Sequence, residues 1–233
     1  MTVLYEDNHI IIVNKESGEI VQGDKTGDVP LSDIVKSWIK NKYNKPGNVF
    51  LGVVHRLDRP VSGIVVFAKT SKALSRLNSM FANHSGNCGN GLKEGEVRKT
   101  YWAITKTPPQ NPEGKLEHWI VRNEKQNKSY AYDKEVPNSK KAVLYYKVIG
   151  TCDNYTLLEV LLLTGRHHQI RCQLSKIGCP IKGDLKYGAR RSNEDGSISL
   201  LSRNCKFIHP VSKNIIDVTA PLPDNPVWSF FKI

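Results

Sequence analysis

The chain reads as an α+β fold, with short strands making up most of it and helices packed against them. Three observations predict this. Short apolar runs bounded by turn residues recur along the whole length, apolar side chains adopt helical spacing in only three places, and no stretch rich in Pro, Gly or Ser divides the chain. Residues 1–233 are therefore read as a single domain without internal repeats.

The opening pair is Val3-Leu4-Tyr5 and Ile10-Ile11-Ile12-Val13, separated by the turn Glu6-Asp7-Asn8. From Leu31, the residues Ile34, Val35, Trp38 and Ile39 continue a helical stripe, with Asp33, Lys36 and Lys40 on the opposite face. Val53-Val54 and Ile64-Val65-Val66-Phe67-Ala68 read as buried strands on either side of a polar connection. A second helix follows, capped by Ser71, with Leu74, Leu77 and Phe81 facing inward. The glycine-bearing segment 83–95 lacks the spacing and flanking elements of a phosphate loop and reads as a surface connection.

Residues 97–106 alternate as a strand that puts Tyr101, Ala103 and Thr105 on one face. Further strands are expected at 116–121, 142–149 and 155–163, with 123–141 a long, basic excursion between the first two. Helical spacing returns with Ile170, Leu174 and Ile177 and ends at Gly178 and Pro180, which places Arg166 at a strand-to-helix junction. Strands at 198–208 and 215–219 close the chain.

The charge balance narrows the function. With 34 Lys and Arg against 22 Asp and Glu, the net charge is +12, which points to a polyanionic partner and above all to nucleic acid. Five irregularly spaced cysteines and the lack of an apolar leader before Val3 predict a reducing cytoplasm, and no apolar run is long enough to span a bilayer. Cys172 and Cys179, even with His167 and His168 nearby, lack metal-ligand spacing, so no metal is expected.

The segment His55-Arg56-Leu57-Asp58-Arg59-Pro60-Val61-Ser62-Gly63 carries the most chemical information. It mounts one carboxylate between two arginines on a connection leading into a buried strand, where catalytic groups are commonly held by a rigid scaffold. Read alone, an Asp between two arginines is more often a turn or surface carboxylate paired with Arg56 or Arg59. Four further segments stand beside it: Val13-Asn14-Lys15-Glu16-Ser17-Gly18, Arg98-Lys99-Thr100-Tyr101, Thr164-Gly165-Arg166-His167-His168-Gln169-Ile170-Arg171 and Gly183-Asp184-Leu185-Lys186-Tyr187-Gly188.

In identity and order these segments resemble the RluA-type RNA pseudouridine synthases, taken without an N-terminal RNA-binding module. The resemblance implies a mixed, mainly antiparallel sheet flanked by helices around a central active-site cleft. It implies isomerisation of uridine to pseudouridine in ribosomal or transfer RNA by a monomer that needs no cofactor. It assigns Asp58 as the catalytic carboxylate, Arg166 as the guanidinium that clamps it, and Tyr101 as the aromatic residue packed on the target uracil. Arg56 is implied to help displace or replace the flipped base; a phosphate contact or an ion pair with Asp58 fits it as well. Whether Asp58 attacks C1′ or C6, or takes a proton to form a glycal, is left open by the residues. His168, Gln169 and Arg171 are read as bracing the Arg166 turn.

Two positions depart from the family pattern. Glu16 stands where proline is usual after Lys15, and Val61 stands where threonine is common, which removes a hydroxyl beside the aspartate turn. Three other readings compete. A catalytically silent RNA-binding protein on the same scaffold would need only the charge and the tyrosines, a glycosidase would need a second positioned carboxylate, and a methyltransferase would need a glycine-rich cofactor turn.

Overall fold

Alternation of buried side chains along the strands decides which helix covers which face. We describe a computed structural model, covering residues 1–82 and 92–231; the centre of the glycine-bearing segment lies outside the described residues. In chain order the first elements are β1 (Thr2–Glu6), β2 (Ile10–Lys15), α1 (Leu31–Lys42), β3 (Gly52–Val53), β4 (Ser62–Ala68) and α2 (Ser71–Ala82). Then come β5 (Val97–Thr105), β6 (Glu113–Asn123), β7 (Lys128–Tyr132), β8 (Lys140–Cys152) and β9 (Tyr155–Leu162). The last are α3 (Gln169–Lys176), a 3₁₀ turn (Leu185–Tyr187), β10 (Leu200–Ile208), β11 (Ile215–Thr219) and the short α4 (Pro226–Ser229).

The strands join in one sheet of order β1-β2-β4-β10-β5-β9-β8-β6-β7, with β3 pairing on β4 and β11 on β10. All pairings are antiparallel except β4 with β10, where Ser62 and Gly63 face Leu201 and Ser202. The sheet is therefore mixed and mainly antiparallel, as the sequence predicts.

β4 shows how the layers arise. It is buried along its whole length, with Val65 and Phe67 on one side and Ile64, Val66 and Ala68 on the other, so both faces must be covered. The first face receives Leu31, Val35 and Ile39 of α1 and Ile170 and Leu174 of α3. The second receives Ala73, Leu77, Met80 and Phe81 of α2 and Val227 and Trp228 of α4. At about 1.5–3 kcal/mol per fully buried large apolar side chain, these contacts hold the helices to the sheet.

Local details differ from expectation for identifiable reasons. Ser71 is the first residue of α2 rather than its cap; the Thr70 hydroxyl accepts the Ala73 amide at 3.2 Å instead. α1 has no side-chain cap, and its first amides donate to the carbonyls of Ile20 and Val21. The expected 123–141 excursion contains β7, which forms a hairpin with β6 in which Val121 faces Tyr130. Its polar, half-exposed residues hide the strand alternation.

Gly63 occupies a special position just after the Asp58 connection. Its φ of +112° is a glycine conformation, and a Cβ there would lie 2.3 Å from the Ser202 carbonyl oxygen across the parallel pairing. Gly63→Ala is expected to cost at least about 2 kcal/mol, read as a lowered urea midpoint with unchanged slope.

Candidate active site

The connection 54–61 that carries Asp58 is fixed through its backbone. The Lys15 ammonium, fully buried at the end of β2, donates to the carbonyls of Val61 at 2.7 Å and of Arg59 and Glu16 at 3.0 Å each. Burial lowers the Lys15 pKa to about 8. The Gly18 amide also reaches the Arg59 carbonyl, the Ile198 amide reaches that of Pro60, and Val61 N–H closes a turn onto the Asp58 carbonyl at 3.0 Å. The two family departures are accommodated here. The Glu16 amide is held by the Glu19 carboxylate at 2.8 Å, and Val61 buries its side chain in the core while its backbone makes the turn bonds.

The guanidinium on Asp58 is not the expected one. Arg171, on α3 and 5% exposed, donates from Nη1 to Asp58 Oδ2 at 2.9 Å. Its Nε and Nη2 grip both oxygens of Asp184, 1% exposed, at 2.7 and 2.8 Å. Burial alone would lower the arginine's pKa, but the carboxylates of Asp184 and Asp58 outweigh it and hold the cation above its usual range. Arg166, expected as the clamp, is exposed; its Nε donates to the Lys141 carbonyl at 3.0 Å. The reason lies in the geometry of the junction. Gln169 Oε1 accepts from the Arg166 amide and the Thr164 hydroxyl, so Arg166 sits in the turn before α3, while Arg171 projects from the helix itself.

Two further polar groups reach this cluster. His168 Nε2 lies 3.4 Å from Asp58 Oδ2, and its Nδ1 lies 2.9 Å from the Tyr187 hydroxyl. Burial first, then the Arg171 and His167 charges, lower the His168 pKa to about 2, so the ring is neutral at physiological pH. The proximity of Asp58 would favour a cation, but that carboxylate is already matched by Arg171. Tyr187, in the 3₁₀ turn, belongs to the Gly183–Gly188 segment quoted above, to which the residues alone assign no role.

Asp58, with a side chain 29% exposed, opens onto a cleft of about 530 Å³ whose lining also includes Arg56, Lys99, Tyr101, Arg166 and His167. That volume suits a single nucleoside. Tyr101 enters from β5, only 7% exposed; burial raises its pKa, so the phenol stays protonated. Lys99 is brought by burial to about 8. Arg56 is exposed on the cleft, whereas Arg59 turns away to pair with Asp28 and donate to the Gly18 carbonyl. Asp58, Tyr101, Arg166 and Arg56 are thus brought together at one opening.

A mixed sheet thus brings a carboxylate, a phenol and arginines to one cleft, and comparison with known proteins gives the class: RNA-modifying isomerases. The family profile described as RNA pseudouridylate synthase matches residues 9–176, and the chain belongs to that family of isomerases. It is 30% identical over 227 residues to an uncharacterized RNA pseudouridine synthase from Synechocystis sp., spanning 96% of this chain and 66% of that protein. It is 29% identical over 235 residues to the ribosomal large subunit pseudouridine synthase D of Zymomonas mobilis, spanning 97% of this chain and 70% of the relative. The solved structure of human RNA pseudouridylate synthase domain containing 4 shares the fold, with a TM-score of 0.76 at 23% identity over 96% of this chain and 89% of that one.

Two outcomes are expected from these contacts. Arg171→Met would strand the Asp184 carboxylate in the core and destabilise the fold by about 3–5 kcal/mol in urea melts. Because the folded-state pKa of His168 is depressed, the unfolded chain binds more protons below its ordinary pKa, and stability is lost as pH falls below about 6.5. His168 alone contributes a slope approaching about 1.4 kcal/mol per pH unit, which His168→Asn removes in chemical denaturation series between pH 7 and about 5.

Proposed function

We propose that this protein isomerises uridine to pseudouridine in ribosomal RNA, with Asp58 as the group that reacts with the target nucleotide. The observation that carries the reading is the Asp58 carboxylate, gripped through Oδ2 by a buried guanidinium and presented to a nucleoside-sized cleft that also holds Tyr101. A relative's name supplies the ribosomal substrate class.

The reaction breaks the C1′–N1 bond, turns the uracil, forms C1′–C5, releases the C5 proton and returns one proton to N1. It is redox-neutral and calls for no redox cofactor. A carboxylate fixed beside the sugar suits each of the three routes: attack at C1′, attack at C6, or proton abstraction toward a glycal. Tyr101, protonated and walled into β5, offers a flat surface for the extruded base. Arg56 and Arg166, exposed on the rim, are suited to the space left by that base and to phosphates. Asp58, Tyr101 and Arg171 come from one chain, so a monomer suffices.

Asp184 does not serve as the second carboxylate of a glycosidase. It is buried with both oxygens held by Arg171, out of reach of a water or sugar. A protein that merely bound RNA would gain nothing from a buried fork that orients one partly exposed carboxylate.

Asp58→Asn is expected to bind RNA within about threefold of the native protein while tritium release from 5-tritiated RNA falls at least about 1000-fold. Native-like turnover by this variant would contradict the assignment. Affinity for single-stranded RNA is expected to fall with salt, with a log–log slope of about −0.7 per phosphate contacted; salt-independent binding would remove the electrostatic basis.

A further inference from the structure

The reading of Asp58 as the reacting group leaves open how its two oxygens are distinguished, and the hydrogen bonds around His168 answer this. Arg171 Nη1 and His168 Nε2 both meet Oδ2, at 2.9 and 3.4 Å. Among the described residues, no side-chain bond falls on Oδ1. The tautomer of His168 follows from its other side. The Tyr187 hydroxyl accepts the Ser129 amide at 2.8 Å and has one hydrogen to give, which it directs to His168 Nδ1 at 2.9 Å. Nε2, 3.4 Å from Asp58 Oδ2, then carries the ring hydrogen, close to the carboxylate but short of a formed hydrogen bond. The opposite tautomer would set a lone pair against Oδ2.

The ring is also held in its plane. His167 stacks on it with centroids 3.8 Å apart, and His167 is fixed in turn by Ser129 Oγ at 2.8 Å and Asn127 Oδ1 at 3.2 Å, both from the β6–β7 hairpin and its turn. His168 takes a left-handed backbone conformation, φ 52°, which aims its side chain at the loop rather than along α3. A neutral imidazole held by the Tyr187 hydroxyl and the stacked His167 ring, with its Nε2 hydrogen beside Asp58, has little freedom except to orient what it touches.

We propose that His168 is a positioning residue for Asp58, that Tyr187 acts through it by fixing its tautomer, and that the pair with Arg171 reserves Oδ2 as the held oxygen and Oδ1 as the one that meets the target nucleotide. The inference rests on the reading of Asp58 as the reacting group and is tested apart from it. The 3.4 Å contact is long for a hydrogen bond, and it is expected to tighten when the cleft closes around RNA.

The charged and titratable groups facing the His168 ring are Asp58, Arg171, His167 and Tyr187, with Arg122 and Lys186 farther off. The experiment measures steady-state kcat and KM by tritium release from 5-tritiated RNA taken from cells lacking the protein, for native protein, Asp58→Asn, Tyr187→Phe, His168→Asn and the double variant. Asparagine accepts the left-handed backbone of position 168, so this variant keeps the turn even if Tyr187→Phe weakens the fold through the unpaired Ser129 amide. Each single variant is expected to lower kcat about 5–30-fold with KM within about twofold, and the double variant to match His168→Asn alone because the residues form one chain.

Native kcat in both single variants beside an inactive Asp58→Asn would overturn this inference and leave the proposed function standing. A multiplicative double variant, or losses confined to KM, would overturn it too. So would a native kcat limb near pH 6.5 that His168→Asn abolishes, since His168 would then carry protons rather than orient a carboxylate. Native turnover by Asp58→Asn would remove the reading beneath it.

Discussion

One guanidinium, that of Arg171, holds the site together, because it joins a buried carboxylate on one element to a partly exposed carboxylate on another. Asp184 takes two of its nitrogens and Asp58 the third. Burying such a group costs much of what its ion pairs return, so stability alone does not account for it. The planar fork fixes direction as well as distance, and it does so for the one carboxylate that opens onto the cleft. A lysine could match the charge but not the angle.

The scaffold supplies the rest by converging on that fork. β4 and β5 both pair with β10, which sets the Asp58 connection and Tyr101 on the two strands that flank β10 in the same sheet. α3 packs against the face that also buries Tyr101, so Arg171 and His168 approach Asp58 from above the sheet. Beneath the connection, the Lys15 ammonium collects three carbonyls that would otherwise compete to bend the loop. Its lowered pKa records the cost of burying a charge to gain that rigidity. The carboxylate is positioned from both sides, by backbone below and by side chains above.

Much of this was legible in the residues. The continuous apolar run 64–68, the strand alternation in 97–106 and the helical spacing from Leu31 and from Ile170 reflect period and burial, which are local properties. Asp58 and Tyr101 were found because their segments carry distinctive neighbours. The partner of Asp58 was not, since Arg171 lies 113 residues away and Arg166 occupied the more conspicuous place at the junction. One signal was available: Arg171 sits beside Ile170 on the buried side of an amphipathic helix, and a buried arginine demands carboxylates, which Asp58 and Asp184 supply. The Thr70 cap and β7 were missed for different reasons. Adjacent Thr and Ser compete equally for a cap, and an edge strand with polar residues on both faces has no apolar rhythm to read.

The most direct test of the central claim is a structure of the Asp58→Asn protein bound to a uridine-containing fragment of large-subunit ribosomal RNA. The account predicts an extruded uridine in the cleft with its ring against Tyr101. It places the amide oxygen of residue 58 on Arg171 and the amide nitrogen, at the position of the aspartate oxygen that Arg171 does not hold, nearest to C1′ or C6, at about 3–3.5 Å. RNA seated elsewhere, or a side chain at 58 turned from Arg171 toward Arg56 and away from the sugar and base, would contradict it.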